Sequence, residues 1–253
     1  MTAFLLALCL AVAARAEKGR SFDELWRQSG GQLTPAAAPA ARPEVAAPVE
    51  PGAGPGADIV LVGDSHSVGP FGERLYGRLS SLGSVAQFSV CGATINWWLD
   101  GKGTNACGYV LRGPGQETLR ERWRPQGTPA SPDRHAELAS AIKSARRAVV
   151  IALGANKNGD LVSPGARLMS SIPAGVRCFW VSPPPVPHSG CEQYDRGDFQ
   201  PTFERIRAAA GRDCTLIDSA RYVRARDSSG CHFDNPDGAA WGEGVGGAIA
   251  GGL

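Results

Sequence analysis

Five short runs of large apolar and β-branched residues stand out along the chain: DIVLVG at 58–63, SVAQFSV at 84–90, AVVIALG at 148–154, RCFWVSP at 177–183 and CTLIDS at 214–219. Each is of strand length and apolar at consecutive rather than alternate positions. That is the pattern of a strand covered on both faces. Segments of helical spacing separate them near 69–82, 133–146, 160–171 and 200–211. The alternation predicts an α/β domain over residues 58–253 with a doubly wound, five-stranded parallel sheet between helical layers. In such a sheet every strand leads into its helix at the same edge, so chemistry is expected beyond the carboxyl ends of the strands.

The regular alternation is interrupted once. Residues 91–132 lie between the second and third strands and include CGATINWWLDGKGTNACGYVLRGPGQ. A connection of that length is either functional or structureless. Its two cysteines, Cys91 and Cys107, argue for the ordered form. Trp97, Trp98 and Tyr109 within it admit two readings. They form a stacking platform that binds a sugar ring, with Asn96 and Asp100 bonding to hydroxyls, or they give the insertion a small core of its own.

Ahead of the first strand the composition changes twice. AFLLALCLAVAA at 3–14 is too short to span a bilayer and runs into the small residues ARA at 14–16, so residues 1–16 read as a cleaved secretory signal peptide. Leu8 precedes Cys9 where a lipoprotein site needs a small residue, which disfavours lipidation. Residues 17–57 read as a largely disordered linker: the stretch 29–57 is rich in Ala, Pro and Gly and has too few large apolar side chains to offset its ordering entropy. SFDELWRQ just before it can form an amphipathic turn or two, with Trp26 as its anchor.

The 253 residues carry a formal charge of +2 and no basic run interleaved with aromatics, so nucleic acid is not an expected partner. No stable membrane insertion is expected once the leader is cleaved. Cys91, Cys107, Cys178, Cys191, Cys214 and Cys231 make an even set for an exported chain, the arithmetic of disulfides. No CxxC or HxxH spacing suggests a metal, and no cofactor is expected.

The candidate chemistry lies at the strand ends. Ser65 follows the first strand in GDSHS, where its hydroxyl points out over the sheet edge; alone it could equally be a helix N-cap. Gly92 follows the second strand in VCGAT, and Asn156 follows the third in LGAN. The N–H groups of Ser65 and Gly92 and the amide of Asn156 then converge as three neutral donors, the composition of an oxyanion hole. A serine nucleophile needs a base. Of the four histidines, His66 adjoins the serine but its side chain is expected to diverge around the turn, His135 starts a helix away from the edge, and His188 lies in a Pro-rich loop. His232, in DSSGCHFDNPDGAAWGEGVGG, follows the fifth strand and can return to Ser65.

GDSHS, the glycine of CGAT, GAN and CHFDNPDGAAW, in that order, resemble the four ordered blocks of the SGNH, or GDSL-like, hydrolase superfamily over roughly residues 58–250. The resemblance implies a flavodoxin-like three-layer sandwich, Ser–His–Asp esterase chemistry without a metal, and oxyanion donors at Ser65, Gly92 and Asn156. The chain departs from the family in one respect. The acid that usually stands three residues before the histidine is replaced by Ser229. Asp227 is the favoured substitute for holding the imidazole tautomer, with Asp234 or a Ser–His dyad steadied by a backbone carbonyl as alternatives. Asp64 reads as structural, capping the turn.

Export, a compact aromatic insertion and this chemistry together point to a secreted or periplasmic serine esterase. Its expected substrate is an O-acyl, specifically O-acetyl, ester on a cell-envelope or extracellular glycan. A lipase or arylesterase, or a non-catalytic glycan-binding domain on the same fold, are the alternatives. The implied flavodoxin-like order makes the fourth and fifth strands neighbours, so Cys178 should pair with Cys214 at their amino ends. Cys191 would then pair with Cys231 at the catalytic edge, and Cys91 with Cys107. Pairing between neighbours in sequence, Cys178 with Cys191 and Cys214 with Cys231, is the competing arrangement.

Overall fold

The computed structural model describes residues 56–101, 108–122, 134–156, 161–185, 199–223, 232–233 and 235–253. The parallel strands are β1 (Ile59–Gly63), β2 (Val85–Val90), β5 (Ala148–Ala152), β6 (Arg177–Val181) and β7 (Cys214–Ile217). Two more, β3 (Gly108–Arg112) and β4 (Leu119–Arg122), continue the sheet as an antiparallel hairpin beside β2. The full order is β4-β3-β2-β1-β5-β6-β7. The parallel strands, taken by themselves, run second, first, third, fourth, fifth: the flavodoxin-like order.

The helices are α1 (Ser65–Val68), α2 (Pro70–Ser80), α3 (Ile95–Asp100), α4 (His135–Lys143), α5 (Val162–Met169), α6 (Phe199–Ala210) and α7 (Asp237–Gly252). Alternate residues of β1 serve the two faces of the sheet. Val60 and Val62 join Trp98, Leu138, Ile142, Leu168 and Ile206 under α3–α6, while Ile59 and Leu61 join Phe71, Leu75, Trp241, Val245 and Ile249 under α2 and α7. These are three layers, with a buried sheet in the middle.

The five expected parallel strands are all present, and an antiparallel pair extends the sheet to seven. The described part of residues 91–132 builds α3 and the hairpin, which covers the edge that β2 would otherwise expose. The hairpin was legible locally. GYVLR and LRER flank a Gly/Pro turn in which Gly115 adopts a left-handed φ of 69° and the Gln116 N–H donates to Gly113 O at 3.1 Å.

Cys178 and Cys214 face one another in register on β6 and β7 and form a disulfide with a Cα separation of 4.4 Å. The pairing reasoned from strand order holds, and since each sulfur makes one such bond, Cys178–Cys191 and Cys214–Cys231 are excluded. Cys91 is also disulfide-bonded, to a partner outside the described residues. Cys107, Cys191 and Cys231 themselves lie outside the described residues, as do the leader and linker up to residue 55. Ala57, by contrast, is buried and its carbonyl accepts from the Arg146 N–H at 3.1 Å, so the domain has begun by this point, just inside the expected linker.

The close approach of α7 to α2 depends on small residues. A Cβ on Gly242 would lie 2.4 Å from Phe71 O, and one on Gly246 would lie 2.7 Å from the Arg78 Cβ. At the amino end of α7 the Trp241 ring stacks on Phe71 at 3.6 Å and its Nε1–H donates to Ser219 Oγ at 3.0 Å. α2 leaves the turn that carries Ser65 and α7 follows His232, so this packing is what returns the His232 segment to the first strand.

Candidate active site

Asp64 ends β1 and caps the four-residue α1: its carboxylate accepts from the His66 N–H at 3.1 Å. Its structural reading is met. Burial pushes its pKa up to about 7, opposed by hydrogen bonds from the backbone N–H groups of His66 and Ala155. The Ala155 bond ties the turn after β1 to the loop after β5.

Ser65 is the first residue of α1 and is buried, and its Oγ has no hydrogen-bond partner among the described residues. Ser67 Oγ, two residues on, shares this state. Gly92 stands just past β2 with a left-handed φ of 75°, in a turn closed by the Ala93 N–H on Val90 O at 3.1 Å. A side chain there would be strained, which accounts for glycine. Asn156 is buried past β5, and its Nδ2 donates to Ala93 O at 2.8 Å. The loops after β2 and β5, on either side of β1, are thus bonded to each other. Ser65, Gly92 and Asn156 stand at the carboxyl ends of three adjacent strands, as the sequence led one to expect.

His232 and Ser65 line one open cleft of about 660 Å³, together with His66, Glu73, Arg74, Phe233 and Trp241 among others. The His232 ring is exposed, with its centroid 5.4 Å from that of His66. His66 does not diverge from the site as the sequence suggested: it is buried, edge-on to Trp241 at 5.4 Å. Burial, reinforced by the charge of His232, pushes its pKa down to about 3, so it is neutral. His135 begins α4, and its side chain is absent from the cleft lining. His188, Asp227, Ser229 and Asp234 lie outside the described residues.

The aromatic platform is corrected. Trp97, Trp98 and Tyr109 are all buried in the hydrophobic core, with Trp97 and Trp98 packed edge to face at 4.6 Å. Trp98 Nε1–H also donates to Gly63 O at 3.4 Å, so it braces the end of β1 beneath the site. Large apolar side chains on a six-residue helix were drawn inward because α3 packs over the sheet. No group of His, Cys, Asp and Glu that could hold a metal occurs among the described residues.

No protein-family model matches the chain, and no curated protein does. Among solved structures, the inhibitor-bound aryl esterase of M. smegmatis superimposes with a TM-score of 0.51 at 16% identity, covering 77% of this chain and 99% of the esterase. The chain has the SGNH-hydrolase fold. A carbohydrate acetylesterase family member from Sinorhizobium meliloti matches at TM-score 0.47 and 18% identity, over 78% of this chain and 100% of its own. The catalytic domain of a Streptococcus pneumoniae peptidoglycan O-acetyltransferase matches at 0.44 and 13%, over 78% and 95%. The sequence overlooked the cleft wall formed by His66, Phe233 and Trp241; the aromatic spacing of HF and W in CHFDNPDGAAW was its only signal.

Proposed function

We propose that the chain is a serine carboxylic-ester hydrolase that removes O-acyl, specifically O-acetyl, groups from a cell-envelope or extracellular glycan. One observation carries the reading: Ser65, whose hydroxyl has no hydrogen-bond partner among the described residues, lines the same cleft as the exposed His232. In this reading Ser65 Oγ attacks the ester carbonyl carbon while His232 takes its proton. The developing oxyanion is held by the N–H groups of Ser65 and Gly92 and by the Asn156 amide. Collapse expels the alcohol, which takes the proton from His232 and leaves an acyl-Ser65 ester. Water, deprotonated by His232, attacks that ester, and Ser65 and the free acid are regenerated. Asp227 orients the imidazole, and no metal or cofactor takes part.

The glycan half of the reading rests on the rim of the cleft. Glu73 and Arg74 line it beside Phe71, Phe233 and Trp241, a mixture of charged and aromatic groups that can meet both the hydroxyls and the apolar face of a sugar. Export is supported by the Cys178–Cys214 disulfide, a bond that persists in oxidising compartments. No helix among the described residues is long and apolar enough to cross a membrane.

The deciding assay is hydrolysis of a chromogenic acetyl ester, followed by a panel of acetylated glycans, aryl esters and longer acyl esters. Ser65→Ala should abolish turnover, and a serine-directed phosphonate should add to Ser65. Asp227→Asn should depress kcat far more than Ser229→Ala. Turnover retained by a folded Ser65→Ala protein would eliminate the mechanism, and preference for long acyl chains would eliminate the glycan.

A further inference from the structure

Behind the candidate nucleophile runs a buried polar chain that the ester chemistry does not itself use. Gln87, in the middle of β2, is fully buried in a strand where every other position but Ser89 is apolar. An amide there is costly unless it is hydrogen-bonded. It is bonded throughout. Nε2 donates to the Ser67 carbonyl at 3.0 Å and to Ser89 Oγ at 2.9 Å, and Oε1 accepts from Arg112 Nε at 2.8 Å. Arg112 lies opposite Gln87 on β3, the first strand of the added hairpin. Its mostly buried guanidinium also bonds to Glu73 at 2.9 Å and rests 3.7 Å above the Tyr76 ring.

The Ser67 carbonyl is two residues from Ser65. It is packed so closely that a Cβ on Gly72 would lie 1.8 Å from its oxygen. Ser67 N–H in turn donates to Asp64 O at 3.0 Å, so the turn is held at its start by Asp64 and at its far side by Gln87. We propose that Gln87 and Arg112 are positioning residues that act through the Ser67 carbonyl to fix the turn carrying Ser65, making the β3–β4 hairpin part of the catalytic framework rather than an edge cover alone. The proposal rests on the nucleophile reading of Ser65. A misplacement of about 1 Å can cost about 100-fold in rate, so a turn freed of this bond should react slowly while still binding ester.

The experiment measures the second-order rate of phosphonate addition to Ser65, with kcat and KM on an acetyl ester, in wild type, Gln87→Met, Gln87→Glu and Arg112→Lys. Met keeps the volume of Gln87 without its bonds; Glu keeps an acceptor for Arg112 but gives up the amide donor; Lys keeps the charge but not the Nε bond. Labelling and kcat should both fall about 10- to 100-fold in the Gln87 variants and less in Arg112→Lys, with KM changed under about threefold. Arg146→Met serves as the stability control. Its partner Asp58 lies 3.0 Å away at the opposite edge of the sheet, so melting should drop while labelling stays at the wild-type rate. Folded Gln87 variants, or Arg112→Lys where the Gln87 variants do not fold, that label at the wild-type rate would overturn the proposal, as would a fall in rate no larger than that in Arg146→Met at equal loss of stability. Wild-type protein that takes no adduct at Ser65 would overturn the nucleophile reading itself, and the positioning role with it.

Discussion

The imidazoles of His66 and His232 lie with centroids 5.4 Å apart and planes tilted by 55°, one buried and one exposed, across the floor of the same cleft. The buried ring is neutral, and a second cation beside it would be unfavourable in that setting.

The first expectation follows from linkage. The folded pKa of His66 is about 3, below its ordinary value of 6.5, so between these values the unfolded chain binds the extra proton and His66 destabilises the fold. Its contribution becomes more favourable as pH rises from about 3 to 6.5 and is level above. Asp64 acts in the opposite sense. Its folded pKa is raised from 3.8 to about 7, so its contribution weakens as pH rises through that window. Removing the histidine isolates its share: the stability of His66→Phe relative to wild type should be greatest near pH 3, decline to about pH 6.5, and then stay constant. Urea unfolding across this range checks it, and a constant difference would refute the buried neutral histidine.

Asn156 has two tasks, one structural and one proposed. Its amide joins the loops after β2 and β5 through Ala93 O, and in the catalytic reading it also faces the oxyanion. Asn156→Ala should lower kcat by about 10²–10³, the usual loss for one oxyanion donor. Asn156→Asp removes the donor from both tasks and sets a carboxylate against Ala93 O and the oxyanion alike. It should be at least as slow as the alanine variant in steady-state kinetics.

Gly242 is the point of closest approach between α7 and α2. With only 2.4 Å between a new Cβ and Phe71 O, Gly242→Ala must push the helices apart, and the backbone oxygen cannot move alone. A loss of about 1–3 kcal/mol in denaturant unfolding is expected. Gly247→Ala on the same helix meets nothing within 4 Å and should be neutral or stabilising through helix propensity.

Cys178 and Cys214 close a loop with a sequence separation of 36 at the edge of the sheet remote from Ser65. Replacing both with serine should cost about 3–4 kcal/mol. Turnover per folded molecule should be unchanged, because the lost bond lies at the amino ends of β6 and β7. Calorimetry and active-site titration together test this.

A chain beginning at Pro55 should fold and retain activity, whereas one beginning at Ile59 should not. Ala57 O anchors Arg146, and Asp58 accepts from Ser84 N–H at 2.8 Å and pairs with Arg146. Circular dichroism of the two truncated chains distinguishes them.

The sequence by itself determined the layered sheet and the edge on which the site stands. Runs such as IVLVG and AVVIA are apolar at every position because both faces of a parallel strand are covered, and the strand–helix alternation puts Ser65, Gly92 and Asn156 at one edge whatever else the chain does. The flavodoxin-like order that the resemblance implies put Cys178 opposite Cys214. Tertiary structure decided the rest. Whether Trp97 and Trp98 face solvent or the core depends on what α3 packs against, and that is a contact with strands far away in sequence. The meeting of His66 with His232 is set by the approach of α7 to α2, since local periodicity records which face of a helix is buried and not which residue will cover it. Gln87 reads as a polar interruption of a strand until Arg112 arrives from the hairpin to accept its place; a hydrogen-bond partner brought by another element leaves no trace in the residues on either side.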